Sequence, residues 1–458
     1  MLITILAGAF ILSVVIIVHE FGHFIVAKKL GVFVKVFSVG FGRKVLKKRS
    51  GDTVYAISAL PFGGYVKFAG ETESGDSKEA PQGQPADEVP DSEIDPARYF
   101  VNKRPLVRSA VVFAGPFSNY LLAVIIYITM FSVLGLPAEP ETTTVGILDR
   151  GSPADSAGLA VNDRILEVGG DAVKDWDEVV DAVWKRRDGE VPLRVLRGAD
   201  TVDVRFRCVK QGRRVQLGFD AYIAPIVGRV KRDGPAYRAG MRSGALVEAI
   251  NDTAVTTFYD IERFGRHNPK VPLVVRWSLD GIQHQDTIVP VAKKVLKEDS
   301  KTEFEIVGQI GVGARYRNQR VPLHRAVAMS FESTTHMIGE IVSFFGLLVT
   351  GRAGVDALGG PILITQMAGD MARWGFNNLM YFLAFFSINL CIFNLLPLLP
   401  FDGGHLTLFF YEGLTRRRVN RRLRELLGQA GFVLVILLMI FVVVLDLSRC
   451  VGSSPVLF

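Results

Sequence analysis

Four stretches of this chain, residues 2–27, 110–136, 379–396 and 426–445, are apolar over enough length to cross a bilayer. A hydrocarbon layer of about 30 Å takes about 20 helical residues. The 458 residues are 49% hydrophobic, and the longest apolar runs sit towards the two ends. The middle carries the charges and turn residues of a water-facing segment. The expected fold is a polytopic α-helical membrane protein of about four transmembrane helices, interrupted by a water-soluble insert. The first stretch has neither a basic leading segment nor a small-residue cleavage site, so it reads as a retained span rather than a signal peptide.

The formal net charge of +7 does not point to nucleic acid, because the basic residues flank the apolar runs instead of forming a stripe. Lys28, Lys29 and residues 43–49 follow the first run; Lys103, Arg104 and Arg108 precede the second; Arg416, Arg417, Arg418, Arg421 and Arg422 separate the third from the fourth. Lysine and arginine accumulate on the cytoplasmic side, which places both termini and the insert on the outer side. Cys208, Cys391 and Cys450 form no CxxC and lie far apart, so neither a thiolate metal site nor a disulfide framework is expected. A Cys208–Cys450 bond is the one conceivable pairing.

Between the first two spans the chain changes character twice. Residues 29–70 are rich in Val, Phe, Tyr and Gly, with glycines at Gly40, Gly42, Gly63 and Gly64, and read as short strands of a cytoplasmic, membrane-associated β-hairpin or sheet. Residues 71–98 are acidic and rich in Pro, Gly and Ser, and cannot bury enough surface to fold alone, so a disordered loop is expected. The insert contains a repeat. The run from Val145 through Pro153, Ala157 and Gly158 returns 82 residues later as Val227, Pro235, Ala239 and Gly240, with Trp176 matched by Phe258. Two copies of one small α+β fold follow, assigned to residues 143–208 and 224–293. Each resembles a PDZ domain of the bacterial type. The four spans, with their flanks, are assigned to residues 1–28, 107–136, 379–405 and 426–446. Val327, Phe331, Ile338, Val342 and Phe345 recur at helical spacing opposite Arg325, Glu332, His336 and Glu340, which predicts an amphipathic helix over 323–350. It either lies on the membrane surface or packs on the insert.

The chemistry sits inside the first span. His19-Glu20-Phe21-Gly22-His23 is an HExxH motif. Residues four apart share a helix face, so both imidazoles can reach one metal ion while Glu20 reaches a water beside it. Ionisable groups inside a span are costly and mark function. Catalytic zinc takes three protein ligands and leaves one position open. Two candidates for the third follow the third span, in the segment running from Asn394 through Pro397 and Pro400 to Asp402-Gly-Gly-His405: Asp402 is favoured and His405 is its competitor. With two prolines and two glycines this segment is not expected to form a regular helix. Such backbone survives at membrane depth only where it is buried or lines a cavity.

HExxH in the first span, Asn394 with Pro397 and Asp402-Gly403 near the third, and a PDZ pair between them resemble the site-2 protease family of intramembrane zinc metalloproteases, in its regulator-of-sigma-E protease subgroup. Gly40-Phe-Gly42, Gly63-Gly-Tyr-Val-Lys67, Gly115-Pro-Phe-Ser-Asn119 and Leu358-Gly-Gly-Pro-Ile362 carry the same resemblance. One departure stands out: the second proline is Pro400, and Phe401 replaces the usual leucine, while the Asn394-to-Asp402 spacing is kept. The resemblance implies a zinc metalloendopeptidase of the bacterial inner membrane, with Zn2+ on His19, His23 and Asp402, Glu20 as general base, and Asn394 holding the substrate or the developing oxyanion. The strands holding Gly63, Gly64, Tyr65, Val66 and Lys67 resemble the family's membrane-associated β-loop, which is expected either to pair with an extended substrate by strand addition or simply to cap the membrane face as a hairpin. The implied partner is a single-span membrane protein of the anti-sigma-factor type after a first cut, with remnant signal peptides as a further substrate. The PDZ pair is expected either to filter substrates by size or to bind peptide C-termini at Leu217-Gly218-Phe219 and Ile310-Gly311-Val312. A non-enzymatic scaffold conflicts with the intact Glu20, and an anchored soluble-type protease conflicts with an HExxH placed inside a span.

Overall fold

In the computed structural model the described residues are all but 71–88, 91–92, 139, 187–188, 208, 212–213, 297–303, 352–358 and 452–458. They divide into a membrane unit, residues 1–133 with 321–453, and an inserted unit, residues 134–320. Four helices are long and apolar enough to cross a membrane: Leu2–Lys29, Pro105–Leu134, Phe376–Asn394 and Arg422–Ser448.

Helix α1 (Leu2–Lys29) buries Ala7, Gly8, Ile11, Val15, His19, Gly22 and His23, a spacing of three and four that marks one face. That face receives α2 (Pro105–Thr129), which carries Pro105 in its first turn, where the missing N–H costs nothing. Strands β1 (Val34–Ser50) and β2 (Thr53–Phe68) follow α1. Each is long enough to bend into two segments. Phe37 is paired with both Tyr55 and Val66, and Leu46 with Ile57, so the segments lie in the order 44–50, 53–58, 34–41, 64–68. Gly40 takes φ +90°, and a Cβ there would sit 2.5 Å from the Leu60 carbonyl oxygen, so the bend in β1 requires glycine. The segment 64–68 is thereby left at an edge of the sheet.

The expectation of a disordered loop over 71–98 lies largely outside the described residues, but its end is ordered. Ile94 is buried with Phe33 and Ala69. Asp95 caps the turn Pro96–Arg98, and Arg98 pairs with Asp52 while stacking on the Phe33 ring. Backbone hydrogen bonds from Phe33 N to the Arg98 carbonyl and from Phe100 N to the Ala69 carbonyl also hold this return to α2.

In the insert, the first copy runs from the strand Val145–Leu148 through α3 (Pro153–Ser156), a sheet and α4 (Trp176–Lys185). Ser152 and Asp175 cap the two helices by accepting from backbone N–H groups. The second copy has α5 (Pro235–Arg238) and α6 (Phe258–His267), the latter opened by a capping box of Thr257 and Asp260. Each copy has a four-stranded sheet with the same strand order, and Trp176 and Phe258 are buried at equivalent places in the two cores. Phe219–Ala221 pairs with Val145–Leu148 and Val312–Ala314 with Val227–Val230, and Phe219, Ala221, Ile310 and Ala314 belong to the cores. The copies therefore extend to 221 and 314. Three-residue strands carry no alternation for a sequence reading to detect.

The chain returns to the membrane unit in α7 (Leu323–Val349), which packs on α2 and α9 (Phe376–Asn394). Its buried stripe is Ala326, Ser330, Thr334 and Ile341, whereas Phe331 and Val342 of the amphipathic pattern are exposed. Helices in lipid approach closely through small residues and leave large apolar ones for the acyl chains. The hydroxyls of Ser330 and Thr334 donate to carbonyls one turn back. Helix α8 (Pro361–Trp374) packs on α1. Its first turn is capped from a distance by Asp446, which accepts from the N–H groups of Gly360, Ile362 and Leu363 at 3.1–3.2 Å. Asp446 lies on α11 (Arg421–Val451) and is buried. A second departure concerns residues 397–405: α10 (Asp402–Thr415) begins at Asp402 and takes both glycines into its first turn. Cys391 is a buried free thiol, and the conceivable Cys208–Cys450 bond falls on side chains outside the described set.

Candidate metal centre

His19 and His23 project from α1 towards α2, and two glycines make room for them. A Cβ on Gly115 would lie 2.3 Å from His23 Nε2 and 2.9 Å from His19 Cε1; one on Gly22 would lie 2.3 Å from the Ala114 carbonyl oxygen. The backbones of α1 and α2 thus approach at the level of the imidazoles, as small residues permit. Asp402 comes from the opposite end of the chain, at the first position of α10. Its own neighbours explain that placement: a Cβ on Gly403 would strike the Leu395 carbonyl oxygen at 2.3 Å, and one on Gly404 the Leu399 nitrogen at 2.5 Å. Only with glycine at both places can residues 395–401 fold back over the first turn of α10.

Three atoms converge. His19 Nε2 and His23 Nε2 are 3.2 Å apart, and Asp402 Oδ2 lies 3.1 Å from the first and 3.5 Å from the second. Zinc bonds of about 2.0–2.1 Å at tetrahedral angles put neighbouring ligand atoms about 3.3–3.4 Å apart. The three separations therefore match three ligands sharing one ion. Asp402 Oδ2 is also buried without a hydrogen-bond partner, an acceptor that a cation satisfies. Among the described residues, His19, His23 and Asp402 form the group able to hold a metal; His405 lies one turn further along α10, against Phe409, and does not join it.

A cavity of about 690 Å³ opens on these atoms, lined among others by Glu20, Val66, Asn394, His405 and Phe409. Asn394 is the last residue of α9. Of the β2 stretch singled out in the sequence, Val66 lines the cavity, and Gly64 lies beside Glu20, whose Cγ would be 3.8 Å from a Cβ at that glycine. Tyr65 instead stacks on Phe41.

Two residues named in the sequence for other reasons take a place at the site. Arg108, at the start of α2, and Glu412, on α10, form an ion pair with both side chains nearly buried, and the Arg108 guanidinium lies 4.5 Å above the Phe409 ring. This pair ties α10, and so Asp402, to α2. Replacing Arg108 by Ala leaves a carboxylate buried and unpaired, which typically costs about 3–5 kcal/mol. The expected result is a lower melting temperature in detergent together with weaker zinc retention. The other is Asn119, buried on α2, with its side-chain nitrogen 3.2 Å from His19 Nδ1. An amide side chain within an apolar run was its signal.

The model of peptidase family M50 matches residues 7–438. This chain belongs to that family. It is similar to the regulator of sigma-E protease RseP of Escherichia coli K12, at 30% identity over 463 residues, covering 96% of this chain and 97% of the relative. The protease RseP of Yersinia pestis is 31% identical over 455 residues, with the same two coverages. A Neisseria meningitidis protein that carries a zinc-metalloprotease name is 28% identical over 470 residues, covering 98% and 100%. This M50 peptidase is thus a membrane-embedded zinc metalloprotease of the site-2 type, with a duplicated α+β insert between its spans.

Proposed function

We propose that His19, His23 and Asp402 hold the zinc ion, that Glu20 is the general base, and that the enzyme hydrolyses a peptide bond of single-span membrane proteins within the bilayer. The observation that carries this reading is the meeting at 3.1–3.5 Å of two imidazoles from an apolar helix and a carboxylate from α10, with Glu20 lining the same cavity. When bound, zinc supplies Lewis acidity, acidifying water and polarising a carbonyl. The chain's own residues do the rest. Glu20 takes the proton of the attacking water and returns it to the leaving amine. The Asn394 amide donates to the oxygen on which charge develops. A helical substrate hides its carbonyls, so it must be drawn out; the sheet edge at Gly63–Lys67, beside Glu20, offers a strand to pair with.

Basic residues beside the spans orient the protein in a bacterial inner membrane with both termini and the PDZ pair outside, and the metal centre towards the cytoplasmic side. The PDZ pair then admits substrates whose outer domain has already been trimmed. An anti-sigma factor cut once before is the substrate type this arrangement suits, and remnant signal peptides are a second.

The test uses purified protein in lipid nanodiscs with a single-span reporter and mass spectrometry of the products. Cleavage within the span, lost on chelation and restored by zinc, is the expected outcome. An undiminished rate after metal stripping refutes the metal assignment, and a cut confined to the soluble flank refutes the intramembrane site.

A further inference from the structure

Resting on the assignment of His19 as a ligand through Nε2, we infer that Asn119 is the positioning residue for that imidazole, and that it acts through Oδ1 with its amide turned about 180° from the drawn orientation. A neutral imidazole that offers the Nε2 lone pair to a cation carries its proton on Nδ1, so Nδ1–H is a donor. In the structure Asn119 Nδ2, also a donor, lies 3.2 Å from His19 Nδ1. Two donors therefore face each other. Meanwhile Asn119 Oδ1 is buried and has no hydrogen-bond partner. The amide oxygen and nitrogen are nearly the same size and are assigned from their surroundings. Exchanging them brings Oδ1 to Nδ1–H, removing the donor–donor contact, and leaves only the amide nitrogen without an acceptor.

The neighbouring ligand shows the same arrangement already made. His23 Nδ1 lies 2.8 Å from the carbonyl oxygen of Val111, which only accepts, so its proton is on Nδ1 and Nε2 is free for the metal. Each imidazole thus has an oxygen of α2 behind it. Asn119 is itself held: its backbone carbonyl accepts from Ser387 Oγ on α9 at 2.8 Å, and the residue is 0% exposed. It joins α1, α2 and α9 at the depth of the metal centre. An acceptor behind a ligating histidine fixes the tautomer and the ring plane and is typically worth about 10–100-fold in metal affinity.

The test measures zinc affinity of the full-length purified protein by competition with a chelating dye, with the melting temperature as a fold control. Asn119→Leu, which has no acceptor, is expected to bind zinc about 10–100-fold more weakly. Asn119→Asp, which keeps an oxygen at the same place, is expected to stay within about tenfold of the parent. Wild-type affinity in Asn119→Leu, or equal losses in both variants with unchanged melting, overturns the inference. Should Asn119→Leu not fold, nitrogen-15 histidine spectra of the zinc-loaded parent decide: a proton on His19 Nδ1 supports the inference, and Nδ1 without a proton overturns it. His19→Ala separates the two levels. If that variant keeps full zinc affinity, the ligand assignment itself fails; if it loses zinc while Asn119→Leu does not, only the role of Asn119 fails.

Discussion

Replacing Asp402 by Ala is expected to yield a protein that cannot keep its zinc through purification and has no measurable proteolysis. The carboxylate supplies one of the three converging atoms, and it is the one that neutralises charge at the site. Removing merely an outer partner of a ligating histidine typically costs about 10–100-fold in metal affinity, so losing a ligand should cost at least about a hundredfold. Metal content by mass spectrometry and a chelator titration measure this directly. The ion pair of Arg108 with Glu412 is untouched by the change, so α10 should remain docked and the melting temperature of the metal-free protein nearly unaltered. Retention of stoichiometric zinc by Asp402→Ala would transfer the third ligand to His405, which lines the same cavity.

Glu20→Gln is expected to separate metal binding from turnover. Gln preserves the size of the side chain but cannot accept a proton. General-base catalysis is typically worth about 10²–10⁴-fold, and a loss of that order in kcat is expected with zinc content unchanged. Glu20 lines the cavity without belonging to the ligand group, which is why its loss should spare the metal. A variant that cuts at the parent's rate would show that another group moves the proton. A variant that loses its zinc would show that Glu20 is structural to the site.

Several elements could be read directly from the residue order. The four long apolar helices follow from local composition, and HExxH places two imidazoles on one face because helix geometry repeats every 3.6 residues. The two copies in the insert were visible because a duplicated segment keeps its glycines, prolines and core aromatics in step. Other features could not be read, for equally physical reasons. The residue order left open which surface α7 meets; Ala326, Ser330 and Thr334 make its buried stripe, and Phe331 and Val342 stay exposed. The strands closing each copy of the insert are three residues long and acquire meaning only once paired.

What residue order determined, then, is everything that depends on neighbours within a few turns: the spans, the shared face of His19 and His23, the repeated insert. Residue order favoured Asp402 over His405 without bringing it to the imidazoles; tertiary structure did that, and it alone placed Asn119 behind His19 and made Asp446 the cap of a helix more than eighty residues earlier in the chain. The first of these rests on close backbone approach at Gly22, Gly115, Gly403 and Gly404, where a single Cβ would push the partners apart, and the last on Gly360, where a Cβ would lie 2.5 Å from Asp446 Oδ2. Periodicity records which face a side chain occupies, but the element that meets that face is selected by packing across the whole fold.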